Sequence, residues 1–264
     1  MGWQQAYLDR FYGSPGHVDG TIEFHAMCAA HIPPGAAILE VGAGRSNPTS
    51  QYLSSLGRLS GLDIDPAVRS NEYLADAQLL NTKVYPFADS CFDACVSNYV
   101  IEHIADPFSH LTEISRILRP GGVYLFRTPN RYHYVSLASR LSPHGFHTAV
   151  ANRLRNLRED APDPFPTHYR LNSRQAIHCA AAQAGLRVRE LRMVEKEPSY
   201  GMASRLLFVT FMLYERVVNS SALLAAFRAN IFGLLERRGR EPSCPDTRES
   251  RRHDATAGHG TRGA

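Results

Sequence analysis

Lysine is almost missing from this chain: Lys83 and Lys196 are the only two among 29 basic residues, the rest being arginine. That bias reflects genome composition rather than function. Net charge is also scarce where it would matter. The formal +4 divides into +3 on residues 237–264, with seven arginines against four acids, and only +1 on everything before them. A near-neutral body lacks the basic stripe that a phosphate-backbone binder needs, so no nucleic-acid partner is expected. The five cysteines (Cys28, Cys91, Cys95, Cys179 and Cys244) are scattered and odd in number, which excludes a disulfide framework and fits a reducing compartment. Cys91 and Cys95 have no second Cys/His pair at finger spacing, so no metal site is expected. No apolar run reaches the roughly 20 residues of a membrane helix. The first residues lack a basic segment followed by an apolar one, so the reading is cytoplasmic, with peripheral contact to the inner membrane face left open.

What is present suits one globular domain with additions: 264 residues, 44% hydrophobic. Residues 1–36 are polar and aromatic. A helix is expected over 21–30, and the segment around Tyr12 could close over a ligand as a lid. From Ala36 strand and helix alternate. Strands are expected at 38–41, 59–63, 93–97 and 123–126, with helices over 48–55 and 107–118. In the latter, Phe108, Leu111, Ile114, Ile117 and Leu118 keep a helical period. Such alternation implies βαβ units and a parallel sheet covered on both faces. Residues 129–171 break the pattern with Pro, His, Tyr and Arg and read as an insertion. A helix over 173–184, a strand over 186–194, an apolar helix over 202–218 and a strand over 230–236 follow. Residues 237–264 are expected to be disordered.

Four features fall at carboxyl ends of strands, where open α/β sheets bind ligands. Glu40-Val41-Gly42-Ala43-Gly44 is a strand running into a glycine turn that lets backbone approach a ligand closely. Gly61-Leu62-Asp63-Ile64-Asp65 ends the next strand with an acid suited to a ribose diol. The third is a block holding Tyr85-Pro86-Phe87, Ser90 to Asp93 and Val100-Ile101-Glu102-His103. The fourth is Leu118-Arg119-Pro120-Gly121-Gly122.

In this order and spacing, over about residues 38–128, these motifs resemble the class I S-adenosylmethionine-dependent methyltransferases, in particular the bacterial small-molecule and quinone-type branch with a type 11 domain. The resemblance implies a Rossmann-like, seven-stranded, mostly parallel sheet and S-adenosyl-L-methionine as cofactor. On matching positions, Glu40 would orient the turn and meet the methionine amino group, and Gly42, Ala43 and Gly44 would lie against the methionine part. Asp63 would take both ribose hydroxyls, Ile64 would pack on adenine, Asn81 would meet the adenine amine, and Ser97 and Asn98 would sit near the sulfonium. The family often has Asp where Asn81 stands.

The acceptor side is expected from 129–171 together with 202–218. His133 is the first candidate for a general base and His103 the second, with His144, His147 and His168 in the same insertion. Arg127, Arg131 and Arg170 could bind an acidic acceptor. The apolar helix could be core, a homodimer contact or a lipid contact, and the last would suit a lipid-like acceptor. The expected reaction is methyl transfer to a small-molecule or lipid-like acceptor, at oxygen. An NAD(P)-dependent oxidoreductase and a catalytically silent cofactor-binding partner protein are the alternatives. The first is disfavoured because Gly42-x-Gly44-x-x-Asn47 lacks a third glycine.

Overall fold

Short β-branched and aliphatic runs bounded by turn residues build the centre of the molecule. The structure, a computed structural model, describes residues 2–14, 18–141, 165–196 and 202–239. Of the insertion expected over 129–171, residues 142–164 lie outside the described residues, as do residues 240–264 of the tail expected to be disordered over 237–264; Arg237 instead ends a strand.

Strands β1 (Ala36–Val41), β2 (Gly57–Asp63), β3 (Asp76–Leu79), β4 (Phe92–Asn98), β5 (Leu118–Pro129), β6 (Leu186–Val194) and β7 (Asn230–Arg237) form one sheet in the order β3-β2-β1-β4-β5-β7-β6. All neighbouring pairs are parallel except those of β7, which runs antiparallel between β5 and β6. Two features were not expected from the pattern: β3, a four-residue strand, and the inclusion of the Leu118–Gly122 turn motif in β5. There Leu118 pairs with Phe92 before the register shifts to Val123 opposite Ala94.

Side-chain parity divides the core between the two faces. Helices α2 (Gly20–His31) and α3 (Pro48–Leu56) cover one face, where Phe24, Met27, Cys28 and Leu53 meet Ile38, Val96 and Leu125. Helices α4 (Pro107–Ile117) and α6 (Arg174–Gln183) cover the other, where Leu111, Ile114 and Ile177 meet Leu39, Val41 and Tyr124. Each start is capped as its sequence implies. Asn47, Asp106 and Ser173 accept backbone N–H groups at α3, α4 and α6, and Pro48 and Pro107 occupy first turns. Helix α5 (Tyr134–Leu141) opens the insertion.

The chain's first helix is α1 (Trp3–Tyr12). It packs on α7 (Arg205–Asn219), where Trp3, Tyr7, Phe11 and Tyr12 surround the fully buried Phe208 with ring centroids 5.4–6.4 Å apart. Tyr12 also donates its hydroxyl to Glu215 at 3.1 Å. Helix α7 is correspondingly one-sided. Phe208, Glu215 and Val218 are buried, while Leu206, Leu213 and Val217 stand exposed. No described helix is long and apolar enough to cross a membrane.

Candidate active site

The glycine turn after β1 is clamped from behind. Glu40 points to the α2/α3 face and is 3% exposed, and its carboxylate accepts the Ser50 hydroxyl at 2.6 Å. The same hydroxyl oxygen accepts from the amides of Asn47 and Asn71, at 2.8 and 3.0 Å. Those amides also reach the carbonyls of Ala43 and Arg45, with Asn71 bridging to Gly44 as well. The carbonyls of Ala43, Gly44 and Arg45 are therefore held from one side, which leaves the opposite side of the loop to a ligand. Gly42, at φ +74, has no room for a side chain, since a Cβ would stand 2.2 Å from Val100 Cγ2. Burial pushes the Glu40 carboxyl up to about 7, partly opposed by its bond from Ser50. A cation brought beside it would favour its ionised form.

Asp63 ends β2 next to this turn. One carboxylate oxygen accepts Gly44 N–H at 2.8 Å and the other accepts Asp65 N–H at 2.8 Å. Each oxygen keeps a lone pair for a further donor, the arrangement a vicinal diol requires. Ile64 beside it is 58% exposed, a bare aliphatic surface at the site's rim. Asn81 follows Leu80, whose N–H bonds the Asp63 carbonyl at 2.7 Å, so it stands exposed just beyond the ends of β2 and β3. The residues present fit S-adenosylmethionine: a carboxyl short of a cation, a close-approach turn, a diol acceptor and an apolar rim.

Two neighbours on β4 part company. Ser97, expected near the sulfonium, turns to the α4 face. Its hydroxyl lies 2.7 Å from the Tyr124 hydroxyl, within a buried chain that continues through His110 to Tyr85 at 3.0 and 2.7 Å. Strand parity is the reason, and the hydroxyl is spent there. Asn98 turns to the α2/α3 face, where its amide donates to Thr49 Oγ1 at 3.1 Å and its Oδ1 is buried without a partner.

His133 does not stand open beyond β5. It is 4% exposed and sits 3.6 Å from Glu195 Oε2, among the rings of Tyr134 and Tyr214 at 4.1 and 5.6 Å. Burial pulls its imidazole down to about 4. His103 lies in a single 3-10 turn (Ile101–His103) after β4, with Nδ1 3.0 Å from the Pro166 carbonyl. A carbonyl partner makes Nδ1 the protonated nitrogen and leaves Nε2 the lone pair. His168 contributes its backbone N–H to the Glu102 carbonyl, and Arg170 donates to the Ala105 carbonyl. His144 and His147 lie outside the described residues.

Glu102, which the sequence offered only as part of the third motif block, is buried. Its carboxyl accepts the Thr128 hydroxyl at 3.0 Å, and Thr128 Oγ1 accepts from Asn172 at 2.7 Å, joining the exits of β4 and β5 to the chain returning to α6. Burial raises it to about 7. Ser50, Asn47 and Asn71 were missed too. Asn47 before Pro48 was legible as a helix cap, but nothing local announces Asn71.

Residues 39–126 match the family model described as a methyltransferase domain. The chain is 35% identical over 128 residues to a probable S-adenosylmethionine-dependent methyltransferase of Mycolicibacterium smegmatis, covering 47% of this chain and 49% of that protein. It is 31% identical over 103 residues to a malonyl-[acyl-carrier protein] O-methyltransferase of Erwinia billingiae, covering 36% and 39%. The chain thus spans about half or less of the length of these curated relatives. In fold it is similar to the [4+2]-cyclase SpnF, with TM-score 0.54, 16% identity and 86% of each chain covered. The antiparallel β7 between β5 and β6 also departs from the six parallel strands of the dinucleotide-binding fold. Residues 39–126 thus match a methyltransferase domain, and the chain is similar over that region to S-adenosylmethionine-dependent methyltransferases and shares their Rossmann-like fold.

Proposed function

We propose that this protein transfers the methyl group of S-adenosylmethionine to oxygen on a small-molecule or lipid-like acceptor. The observation that carries the reading is the clamped Gly42–Gly44 turn facing the Asp63 carboxylate, which is built for a ligand bearing both a cationic amino group and a diol. When bound, the cofactor supplies an electrophilic methyl carbon on a sulfonium.

The chain's own work is positional. Asp63 and the turn fix the sulfur, and residues beyond β4 and β5 align the acceptor oxygen in line with the methyl carbon while water is kept away. A new C–O bond forms as the C–S bond breaks, and a hydroxyl acceptor must also lose its proton. His103 Nε2 is the proposed acceptor of that proton, because its Nδ1 is engaged by Pro166. His133 is not, since enclosure and its lowered basicity oppose protonation.

Calorimetry on the purified chain is the first test. S-adenosylmethionine and S-adenosylhomocysteine should bind with Kd of about micromolar order and NAD should not. Binding of NAD without response to either sulfur compound would sink the reading. Transfer of tritiated methyl into cell extract then identifies the acceptor. His103→Ala should lower turnover on a hydroxyl acceptor by about 10²–10⁴ with cofactor affinity unchanged. Undiminished turnover would remove His103 from the chemistry.

A further inference from the structure

One row of residues crosses the sheet at its carboxyl end on the α2/α3 face. Asn98 on β4 pairs with Arg127 on β5, Arg127 with Phe232 on β7, and Phe232 with Arg192 on β6. On the near side Ser97, one residue before Asn98, pairs with Val41, which leads into Gly42. The row therefore runs from the glycine turn to a cavity of about 500 Å³ lined by Glu23, Arg192, Glu195 and Lys196 among others.

The two arginines of this row are treated differently. Arg192 is neutralised by Glu23 and Glu190, at 3.2 and 2.8 Å. Arg127 is 8% exposed and pairs with no carboxylate among the described residues. Its Nη1 donates to the Thr21 hydroxyl at 3.1 Å, and its Nε is buried with no hydrogen-bond partner. Glu102, the carboxyl that feels its charge, takes its own bond from Thr128, whose side chain leaves the opposite face of the sheet. The rings of Tyr99 and Phe232 lie 4.5 and 5.6 Å from the guanidinium carbon, which seats the cation without neutralising it.

A helix start also lies beside it. The first turn of α2 lies directly against the guanidinium, where a Cβ added at Gly20 would stand 2.7 Å from Nη2. That helix start is positive, and its cap Asp19 takes the N–H groups of Thr21 and Ile22 through Oδ1 and makes no ion pair with the guanidinium. A buried guanidinium beside a helix N-terminus is costly unless an anion completes it. One unneutralised cation with a free donor edge matches a singly charged planar oxyanion.

We propose that Arg127 anchors the carboxylate of an anionic methyl acceptor lying along the Asn98–Arg127–Phe232 row between the glycine turn and the cavity. The identity of that ligand as the acceptor rests on the methyltransferase reading above; the anion site itself does not.

The test titrates octanoate and benzoate, their neutral amides and phenyl phosphate into the full chain, with and without saturating S-adenosylhomocysteine. A carboxylate should bind about 10-fold or more tightly than its amide. Arg127→Gln should abolish that preference, Arg127→Lys should retain part of it, and both should bind S-adenosylhomocysteine as the parent does. Equal binding of carboxylate and amide by the parent overturns the proposal whether or not the variants fold. So does a preference that survives in Arg127→Gln, and stronger binding of phenyl phosphate overturns the carboxylate assignment. A protein that prefers carboxylates but ignores S-adenosylhomocysteine keeps the anion site and loses the methyltransferase reading.

Discussion

Asp63 does two jobs at once. Its oxygens tie the glycine turn to the end of β2 through Gly44 N–H and Asp65 N–H, and each keeps a lone pair for a further donor. Asp63→Ala should therefore weaken S-adenosylhomocysteine binding by about 1.5–3 kcal/mol, the worth of charge-assisted bonds to a diol. Calorimetry checks this, and an unchanged Kd would mean a different acid takes the ribose. Gly42 is a backbone requirement rather than a contact. Gly42→Ala imposes a left-handed non-glycine residue, costing about 1–2 kcal/mol, and drives a methyl group into Val100. It should lower both melting temperature and cofactor affinity, whereas Asp63→Ala should act chiefly on affinity.

The junction of α1 with α7 is where a whole element depends on one side chain. Phe208 is the knob, and four aromatic rings of α1 form its socket, edge-on for Trp3, Tyr7 and Tyr12. Phe208→Ala should cost about 3–5 kcal/mol by lost transfer energy and the cavity left behind. Thermal melts read the loss, and hydrogen exchange should localise it to residues 2–13 and 205–219. If α1 stays as protected as in the parent, the packing of α1 does not depend on that ring. The buried Tyr12–Glu215 bond makes a smaller version of the same test, since Tyr12→Phe removes the donor and leaves a carboxylate oxygen short of one partner.

For the molecule as a whole, four buried titratable groups set opposing responses to pH. Glu40 and Glu102 are raised by burial from 4.5 to about 7, so the fold binds more protons than the unfolded chain between those values and gains stability as pH falls through 7. His110 and His133 are lowered by burial from 6.5 to about 4, so the unfolded chain binds more protons and stability falls as pH drops below 6.5. The expected melting curve rises from pH 8 to about 6.5, is nearly flat down to about 4.5 and falls below that. His110→Phe costs stability outright by stranding the hydroxyl of Tyr85 and leaving that of Tyr124 with Ser97 alone, but it deletes one acid-sensitive group. Between pH 6.5 and 4.5 its melting temperature should climb relative to the parent, by up to about 1.4 kcal/mol per pH unit in stability. Parallel curves would show that His110 does not titrate there.

What the amino-acid order determined alone was whatever is encoded within a few residues of itself. Alternating apolar runs specified β1, β2, β4 and β5. Asn47-Pro48 and Asp106-Pro107 marked helix starts, and glycines after Val41 with an acid ending β2 marked a ligand turn, because caps, periods and turns are short-range properties of the chain. Folding decided everything that depends on which distant group lies opposite. Ser97 and Asn98 were alike as site candidates, yet a single step of strand parity sent one hydroxyl to Tyr124 and the other side chain to the α2/α3 face. Asn71 reaches Ser50 across 21 residues, and Tyr12 meets Glu215 across 203. Arg127 drew its meaning from Phe232 and Asn98 on neighbouring strands and from the start of α2 above it. A residue's type states which partner it needs. Only the packed sheet, by pairing strands far apart in sequence, decides whether that partner is supplied from within or left to a ligand.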